Sequence, residues 1–454
     1  MSEGVSKELF LPKGRGLGIK DGKLDKDAFR KVIPVLAAKV APEKAGVVLK
    51  SPVMKRCPSL LDVPRVKSVA RAPDEQRLVL LKYSDQADLS PEVLDFLKSQ
   101  SAELVRHDIV FDYDYWSADE IIHAILPEEI EAGAPSGYAS VGHLAHLNLR
   151  PEYLPYKHII GQVILDKSPT CRTVVNKIDN IDNQFRVFRM ELLAGEPDFV
   201  VTQSENGCQF TFDFREVYWN SRLHTEHERI IAQFKPEDVV ADVFAGVGPF
   251  AIPAAKKGCA VLANDLNPSS YKYLLKNITE NRVESLVRPF CEDGRAFIRS
   301  AFNRAYDDPL PPVPPPKPRK TEPKEKRAGE RRPSPPPAPR RNRVSHFVMN
   351  LPDTAILFLD AFRGVLSPAN AGERNLSGLY ADEASMPMVH CHCFTRELEP
   401  EKAEADIRQR VEEKIGHPLG EEASFRWVRS VAPQKEMYCV SFRLPRAVAF
   451  AEES

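Results

Sequence analysis

The stretch Asp242-Val-Phe-Ala-Gly246-Val-Gly248-Pro-Phe-Ala251 decides the fold of this chain. It ends an apolar run at residues 239–244, which predicts a strand, and it enters residues 250–257, which predict a helix. The two glycines allow a tight turn and a close backbone approach to a ligand. The first N–H groups of the helix would face that ligand. The stretch therefore predicts a ligand-binding turn between a strand and a helix.

Strands and helices continue to alternate after this turn. Asn267-Pro268 caps a predicted helix that runs through Ile278. Further strands are predicted at residues 260–263, 286–290, 347–349 and 388–394. Alternating units of this kind argue for a mostly parallel sheet covered by helices. We therefore predict a Rossmann-like α/β domain over residues 217–454.

Two smaller α+β domains are predicted before it, at residues 1–112 and 113–216. In the first, residues 24–40 have helical spacing interrupted by Pro34, and a helix begins at Ser90-Pro91. Residues 77–83 predict a buried strand in the same domain. In the second, Ser117-Ala-Asp-Glu120 is a capping box. Strand-like runs predict a mostly antiparallel sheet there, at residues 158–165, 173–175, 190–194 and 209–214.

Residues 308–343 are dominated by Pro, Lys and Arg and interrupt the α/β domain. Such a segment cannot bury enough apolar surface to offset the entropy of ordering, so we predict a disordered or polyproline-II insertion. It is either an electrostatic tether for RNA or a solvated surface loop.

Bulk properties limit the class of protein. The chain has 454 residues, 43% of them apolar, and no apolar run approaches the roughly 18 residues of a membrane span. The eight cysteines are scattered, which favours a reducing compartment. Residues 1–15 lack a signal-peptide core, and early acidic residues do not favour a transit peptide. We expect the cytoplasm, the nucleus or both, with the mitochondrial matrix left open. A net charge of −1 means that any nucleic acid would be held by local basic patches.

Two cofactor classes suit the glycine turn. Asp265 ends the next strand, where a carboxylate can bind ribose hydroxyls, and this also suits a dinucleotide enzyme. S-adenosylmethionine is favoured because Asp242 precedes the glycines and Asp293 follows a further strand, where it could bind adenine. Asn350-Leu-Pro-Asp353 follows the strand at residues 347–349. An Asn near a Pro at that place holds a planar nitrogen nucleophile in methyltransferases, because the Asn amide offers a donor and an acceptor together.

These motifs resemble those of the tRNA guanine-N1 methyltransferases that act at position 37, beside the anticodon. The matching stretches are Val217-Tyr-Trp-Asn-Ser-Arg-Leu-His-Thr-Glu-His-Glu-Arg229, Asp242 to Phe250, Asn264-Asp-Leu-Asn-Pro268, Asp293-Gly294 and Asn350-Leu-Pro352. Phe185-Arg186 and Glu191-Leu-Leu-Ala-Gly195 are also similar to this family. The resemblance spans roughly residues 156–394, and Arg222-Leu-His-Thr-Glu226 is its most specific part. Ser221 stands where many members have Pro, and the Pro-rich insertion is longer than expected.

The resemblance implies a class I methyltransferase fold, S-adenosylmethionine as the cofactor and tRNA as the partner of a monomer without a metal. Glu226 would be the general base that takes the proton from guanine N1. Arg186, or failing that Arg189, would stabilise charge on O6. Asn350 would orient the base, with Pro352 stiffening its loop and Tyr218 packing at the pocket. The expected cofactor residues are Arg222, His227, Gly246, Gly248, Asp265, Leu266, Asp293, Gly294 and Asn350.

The target base would have to leave the folded anticodon loop, where RNA-binding proteins read bases by stacking and edge hydrogen bonds. Residues 1–112 would grip the rest of the tRNA through phosphate contacts. The candidate residues for this are Lys13, Arg15, Lys20, Lys55 and Arg56.

His390-Cys-His-Cys393 invites a metal hypothesis. Alternate residues of a strand face opposite sides, so one ion would not easily reach all four, and we predict a buried strand instead.

Three alternatives remain open. The closest is a wybutosine-pathway aminocarboxypropyltransferase, which is expected to lack Asn-Leu-Pro. An NAD-dependent oxidoreductase is disfavoured by Asn350-Leu-Pro352, and an RNA-binding protein with an inactive methyltransferase domain is disfavoured by the intact Glu226 and Asn350.

Overall fold

The computed structural model describes residue 11 and residues 14–135, 137–178, 185, 187–313 and 340–452. Its contacts divide the chain into two units. The first unit comprises Met1–Ser140, Leu144–Lys177 and Glu191–Pro197, and the second comprises Val141–His143, Ile178–Met190 and Asp198–Ser454. Phe29, Trp116 and Ile160 share one core in the first unit, so both predicted N-terminal domains contribute to that core. The boundaries at residues 112 and 216 stay predictions.

The strands, in chain order, are β1 (Ile19–Lys20), β2 (Lys23–Leu24), β3 (Lys31–Val40), β4 (Val69–Arg71), β5 (Arg77–Leu80), β6 (Glu103–Phe111), β7 (Ala139–Val141), β8 (Leu144–Leu147), β9 (Thr173–Lys177), β10 (Met190–Gly195), β11 (Val200–Glu205), β12 (Cys208–Asp213), β13 (Val239–Asp242), β14 (Ala260–Asn264), β15 (Val287–Phe290), β16 (Val344–Met349), β17 (Met388–Thr395), β18 (Ser424–Ala432) and β19 (Lys435–Arg443).

The helices are α1 (Pro42–Lys50), α2 (Pro52–Arg56), α3 (Pro91–Ser99), α4 (Ala118–Ile125), α5 (Glu128–Glu131), α6 (Lys157–Lys167), α7 (His224–Gln233), α8 (Ala251–Lys257), α9 (Pro268–Glu280), α10 (Gly294–Asp307), α11 (Pro368–Ala371), α12 (Leu376–Leu379), α13 (Pro400–Ile415) and α14 (Arg446–Ala449). Short 3-10 helices lie at Lys26–Phe29, Gln86–Asp88, Pro151–Tyr156, Ser221–Leu223, Ala355–Phe362 and Glu383–Ser385.

The predicted broken helix at residues 24–40 is wrong, because most of that stretch is strand β3. Pro34 is tolerated inside the strand for a geometric reason. β3 pairs with β6 from Lys31 to Lys39 but with β5 only from Ala37 onward. Leu36 N donates to Tyr83 O on the β5 side. Since alternate residues direct their N–H groups to the same side, the N–H that Pro34 lacks would face a stretch with no β5 partner.

The strand predicted at residues 158–165 is also wrong, because these residues form helix α6. Its apolar side chains surround the helix rather than alternate, a pattern that periodicity cannot assign. Gly161 permits close packing, since a Cβ there would lie 2.6 Å from Leu193 Cβ. Helix α6 connects β8 to β9, which pair in parallel. The mostly antiparallel sheet predicted for this region is therefore wrong for that pair, although β11 and β12 are antiparallel.

Two predicted helix starts in the first unit are confirmed. The Ser90 hydroxyl accepts from Val93 N at the start of α3. The Ser117–Glu120 capping box opens α4, with both of its reciprocal hydrogen bonds present. These starts were predictable because each depends only on side chains within one turn of the helix.

The second unit contains a seven-stranded sheet in the order β15-β14-β13-β16-β17-β19-β18. The first five strands are parallel, and β19 is antiparallel to both of its neighbours. This sheet confirms the predicted Rossmann-like α/β class, while the antiparallel pair β18–β19 was not predicted. This antiparallel pair also distinguishes the sheet from the six-stranded parallel sheet of dinucleotide-binding domains.

The chain reverses its direction of winding between the adjacent strands β13 and β16. Ligands of open α/β sheets bind outside the carboxyl ends of the strands at such a reversal. The glycine turn follows β13, and Asn350 follows β16. The topology therefore brings the two predicted motifs to one edge of the sheet.

The predicted insertion at residues 308–343 lies mostly outside the described residues, which exclude 314–339. Its two ends meet, because Leu310 and Arg341 exchange backbone hydrogen bonds of 2.8 and 3.1 Å. Among the described residues, no helix combines the length and apolarity that crossing a bilayer requires.

Candidate active site

The glycine turn after β13 has the backbone geometry that its sequence predicted. Gly246 has φ +55° and Gly248 has φ +101°, values that residues with a Cβ rarely adopt. A Cβ on Gly248 would lie 2.7 Å from Ile252 Cδ1. Asp265 supports the turn, since its Oδ2 accepts from Gly246 N at 2.8 Å and its Oδ1 from Asn267 N at 2.9 Å. Asp265 and the two glycines are therefore brought together as predicted.

Asn264, the first residue of the Asn264-Asp-Leu-Asn-Pro268 motif, connects three strand ends. Its Nδ2 donates to Val243 O at 3.1 Å and to Glu292 O at 3.0 Å. Its Oδ1 accepts from Glu292 N at 3.1 Å. A buried amide can satisfy several backbone groups at once, so Asn264 fixes the spacing of the loops after β13, β14 and β15.

Asp242 is wholly buried at the end of β13. Neither of its carboxylate oxygens has a hydrogen-bond partner among the described residues. Burial, and then the nearby Asp265, raise the pKa of Asp242 to about 8. A buried acid without a donor is suited to receive one from a ligand. This fits a cofactor that carries an ammonium group.

Three predicted cofactor residues, including Asp293, which was predicted to bind adenine, follow strands β14 and β15. Asp293 caps α10 by accepting from the backbone N–H groups of Arg295 and Ala296. Gly294 is tightly enclosed, since a Cβ there would lie 2.9 Å from Phe244 Cε1 and 3.2 Å from Phe358 Cδ1. Leu266 is exposed in the loop after β14. An apolar side chain, an aromatic pair and an acid at neighbouring loops fit a planar nucleobase with an amino group.

Asn350 lies directly after β16. Its Oδ1 is buried, and none of the described residues donates a hydrogen bond to it. Pro352 O accepts from Phe394 N at 3.0 Å, which attaches the Asn-Leu-Pro loop to β17. The loop is thus held at both strands, with an unused acceptor on Asn350.

Glu226 is buried on α7 and is held by two cationic side chains. Arg229 Nε lies 2.7 Å from Glu226 Oε2, and Arg229 Nη2 lies 2.7 Å from Oε1. His392 Nε2, on β17, lies 2.8 Å from Oε1. Burial opposes the charge of Glu226, but hydrogen bonds from Arg229 and His392 outweigh it and lower the pKa of Glu226 to about 2. Glu226 is therefore a carboxylate at neutral pH.

Sequence reasoning missed both partners of Glu226. Arg229 was available from the sequence, because residues three apart on a helix are neighbours. His392 was not, because it lies 166 residues away in the chain.

Other predicted residues of this region lie on α7 and the segment before it. His227 is buried, its Nδ1 lies 2.5 Å from Glu205 Oε1, and its ring packs edge-on against Phe250. Arg222 is exposed in the preceding 3-10 helix. The Tyr218 ring is exposed, and its hydroxyl lies 3.4 Å from Asn220 Nδ2. The Tyr218 ring is therefore accessible for packing against a ligand.

Arg186 lies outside the described residues. Its fallback, Arg189, is described, and its carbonyl accepts from Ile178 N at 3.0 Å. Among the candidate tRNA-binding residues, Lys13 also lies outside the described part of the chain. Arg56 forms an ion pair with Glu92 at 2.7 Å.

The His390–Cys393 stretch is a buried strand, as predicted, within β17. His390 Nδ1 lies 2.9 Å from Ser441 Oγ and His390 Nε2 lies 3.2 Å from His346 Nδ1. His392 instead joins Glu226 and Cys439, whose potential ligand atoms lie within 4.8 Å of one another. Arg229 already neutralises the Glu226 carboxylate, so we assign no metal to these three residues.

Two family profiles match the chain. One, described as the TRM5/TYW2 methyltransferase domain, matches residues 201–306, and the other, described as the TYW2 N-terminal domain, matches residues 118–198. The tRNA (guanine(37)-N(1))-methyltransferase of Coprinopsis cinerea is 58% identical over 443 residues, covering 95% of this chain and 95% of that protein. The protein of the same name from Schizosaccharomyces pombe is 48% identical over 438 residues, covering 94% and 95%.

Solved structures share the fold. The complex structure of aTrm5 and tRNALeu matches with a TM-score of 0.60 at 21% identity, covering 90% of this chain and 100% of that one. Trm5b from Pyrococcus abyssi matches with a TM-score of 0.56 at 21% identity, covering 90% and 99%.

Proposed function

The chain belongs to the family of tRNA (guanine(37)-N(1))-methyltransferases, and we propose that it transfers the methyl group of S-adenosylmethionine to N1 of guanosine 37 in tRNA. The observation that carries the choice of a base nitrogen is the buried, unused acceptor Asn350 Oδ1 among the described residues. A buried acceptor is normally hydrogen-bonded, so an N–H group of the substrate is expected to complete it. Guanine offers such groups on the edge that contains N1.

The proposed cofactor supplies an electrophilic methyl group bound to sulfur. The residues at the reversal between β13 and β16 support this choice. Asp242 would accept from an ammonium group, Asp265 holds the glycine turn, and Asp293 and Gly294 border the position for adenine. The pair β18–β19 further separates this sheet from the dinucleotide-binding order, which disfavours the oxidoreductase alternative.

Guanine N1 carries a proton at neutral pH, so this proton must leave as the N1–methyl bond forms and the sulfur–methyl bond breaks. We propose that Glu226 accepts it. Its pKa of about 2 makes it a weak base towards free guanine. The N1 proton becomes far more acidic as the methyl group arrives, so a carboxylate of low pKa accepts it in step with methyl transfer. Proton transfer that precedes methyl transfer would instead require a pKa near the working pH.

The remaining roles follow from exposure and chemistry. Tyr218 would stack on the extruded base, because its ring is exposed beside α7. Arg186 would stabilise the negative charge that grows on O6, with Arg189 as the alternative. The basic residues Arg15, Lys20, Lys55 and Arg56 would contact tRNA phosphates. The monomeric state and the expected compartments also remain proposals.

The test uses the full-length protein and unmodified tRNA transcripts with G or A at position 37. S-adenosylmethionine is supplied in two forms, labelled in the methyl group or in the carboxyl carbon. We expect only the methyl label to enter tRNA, only with G at position 37, and 1-methylguanosine to be the product after digestion and mass spectrometry. Incorporation of the carboxyl label would identify aminocarboxypropyl transfer. Methylation of the A variant, or at another nitrogen, would overturn the assignment of N1 of guanosine 37.

A further inference from the structure

The hydrogen bonds around Glu226 leave one acceptor position unused. An ionised carboxylate has about four lone-pair sites, two on each oxygen. Within the described part of the chain, Oε1 accepts from Arg229 Nη2 and His392 Nε2, whereas Oε2 accepts only from Arg229 Nε. Among the described residues, the remaining site is therefore on Oε2. An incoming N–H group would bind there.

His392 fixes which oxygen remains available. Its side chain is wholly buried on β17, and that of Glu226 is nearly so. Arg229 donates hydrogen bonds to both carboxylate oxygens of Glu226. Because Arg229 lies three residues away on the same helix, its side chain can follow the carboxylate into other rotamers. His392 cannot follow, because its strand pairs on both sides, with β16 and with β19. The bond of 2.8 Å to His392 thus ties Glu226 to the sheet.

The surroundings of His392 differ from those of His390 on the same strand. Burial opposes charge on His392, but Cys439 and Glu226 favour it, and the pKa of His392 is raised. Burial and His346 keep the pKa of His390 well below its usual value. The titratable or charged groups that face His392 are Glu226 and Arg229 on α7, Asp242 on β13, His390 on β17 and Cys439 on β19.

We propose that His392 is a positioning residue for methyl transfer: its Nε2–H holds Glu226 Oε1 and so presents Oε2 to the N1–H of the target guanine. The inference rests on the proposed function, since it presupposes Glu226 as the proton acceptor. Glu226 and Cys439 raise the pKa of His392, and a cation there would help to keep the carboxylate ionised. Its part is to fix the acceptor, and it does not contact the substrate.

The experiment compares His392→Ala, His392→Gln and the matched control His390→Gln in the full-length enzyme. His390 is equally buried and lies on the same face of β17, but it bonds Ser441 and His346 instead of Glu226. The readouts are the single-turnover rate as a function of pH with G37 transcript, and the Kd for S-adenosylmethionine by calorimetry.

We expect His392→Ala to lower the single-turnover rate by roughly 10- to 100-fold, because a misplaced acceptor loses that much, while the Kd for the cofactor stays within about twofold. Added imidazole should restore part of the rate. His392→Gln keeps a hydrogen-bond donor but loses the cation, so its rate should lie between those of the wild type and His392→Ala. The acid limb of its pH profile should move to higher pH. His390→Gln should keep the wild-type rate and pH profile even where its Tm falls.

Four results would overturn the inference. They are a wild-type rate in His392→Ala, an equal loss in His390→Gln, a pH profile unchanged in His392→Gln, and no rescue by imidazole. If Glu226→Gln lost rate while the His392 variants kept the wild-type rate, only the positioning role of His392 would be rejected. A normal rate in Glu226→Gln would reject Glu226 as the acceptor and His392 with it. Absence of 1-methylguanosine from the wild-type reaction would instead reject the proposed function.

Discussion

Asp265 Oδ2 accepts a hydrogen bond of 2.8 Å from the backbone N–H of Gly246, so the acid at the end of β14 holds the glycine turn that follows β13. The carboxylate therefore has a structural part at the cofactor site in addition to the ribose contact expected of it. Asp265→Ala removes the acceptor, and Asp265→Asn keeps one.

We expect Asp265→Ala to weaken binding of S-adenosylmethionine by at least about tenfold, the equivalent of one charge-assisted hydrogen bond. Asp265→Asn should lose less. Calorimetry measures both, with Asp307→Ala as the control, since Asp307 pairs with Arg374 on the surface of the same unit. A Kd for Asp265→Ala within twofold of wild type would contradict this expectation.

Gly248→Ala should destabilise the protein. The residue has φ +101°, and its Cβ would lie 2.7 Å from Ile252 Cδ1 and 3.0 Å from Leu274 Cδ1. Strain of this kind amounts to about 1–3 kcal/mol. Gly46→Ala is the matched control, because Gly46 lies inside helix α1 with open space around it, and alanine there should stabilise the protein by roughly 0.5–1 kcal/mol. Urea unfolding measures both, and the same sign of change in the two variants would refute the geometry.

Asp242→Asn should raise stability in a pH-dependent way. The pKa of Asp242 is about 8 in the folded protein and near 3.8 when unfolded, so the folded state binds the extra proton between these values. Folding stability from this group therefore falls as pH rises from about 4 to 8. At pH 7 the loss is on the order of 4 kcal/mol.

The advantage of Asp242→Asn over wild type should accordingly be absent near pH 4, grow up to pH 8 and stay constant above it. Thermal unfolding across this range is the measurement. The variant should also bind S-adenosylmethionine more weakly, since the neutral amide lacks the negative charge that forms an ion pair with an ammonium group. A pH-independent difference in Tm would show that Asp242 is ionised in the folded protein.

Glu226→Gln should cut the single-turnover rate strongly, by about 100-fold or more, because general-base contributions have that size. The Kd for S-adenosylmethionine should change little. Glu228→Gln is the matched control, since Glu228 is exposed on the same helix. An unchanged single-turnover rate would remove Glu226 from the reaction.

Asn350→Ala should impair the positioning of the target base and leave the binding of S-adenosylmethionine unchanged. It removes the buried acceptor Oδ1, to which none of the described residues donates, so we expect a loss of roughly 10- to 100-fold in single-turnover rate with G37 transcript. Asn303→Ala serves as the control, because Asn303 donates to the Asn370 carbonyl, away from the Asn-Leu-Pro loop. Equal losses in both variants would indicate a general effect on folding.

The sequence predicted those parts of the fold that depend on near neighbours in the chain. The glycine turn, the Asn267 cap of α9 and the Ser117–Glu120 box each join residues within a few positions, so their pattern is visible in the letters. Residues 24–40 and 158–165 were predicted wrongly for the converse reason. Pairing with β6 makes the first a strand despite Pro34, and packing of Gly161 against β10 accompanies the helix formed by the second.

The sequence by itself determined the α/β class and the cofactor turn, because these lie in contiguous motifs with local geometric requirements. It predicted Asn350 from the Asn-Leu-Pro motif and Glu226 from the resemblance to the family. Only the tertiary structure decided what Glu226 touches. The register of β17 places His392 2.8 Å from its carboxylate, and the order of the sheet brings Asn350 beside the turn that Asp265 holds. Such contacts depend on which strands pair, and pairing is set by burial across the whole domain rather than by neighbours in the chain.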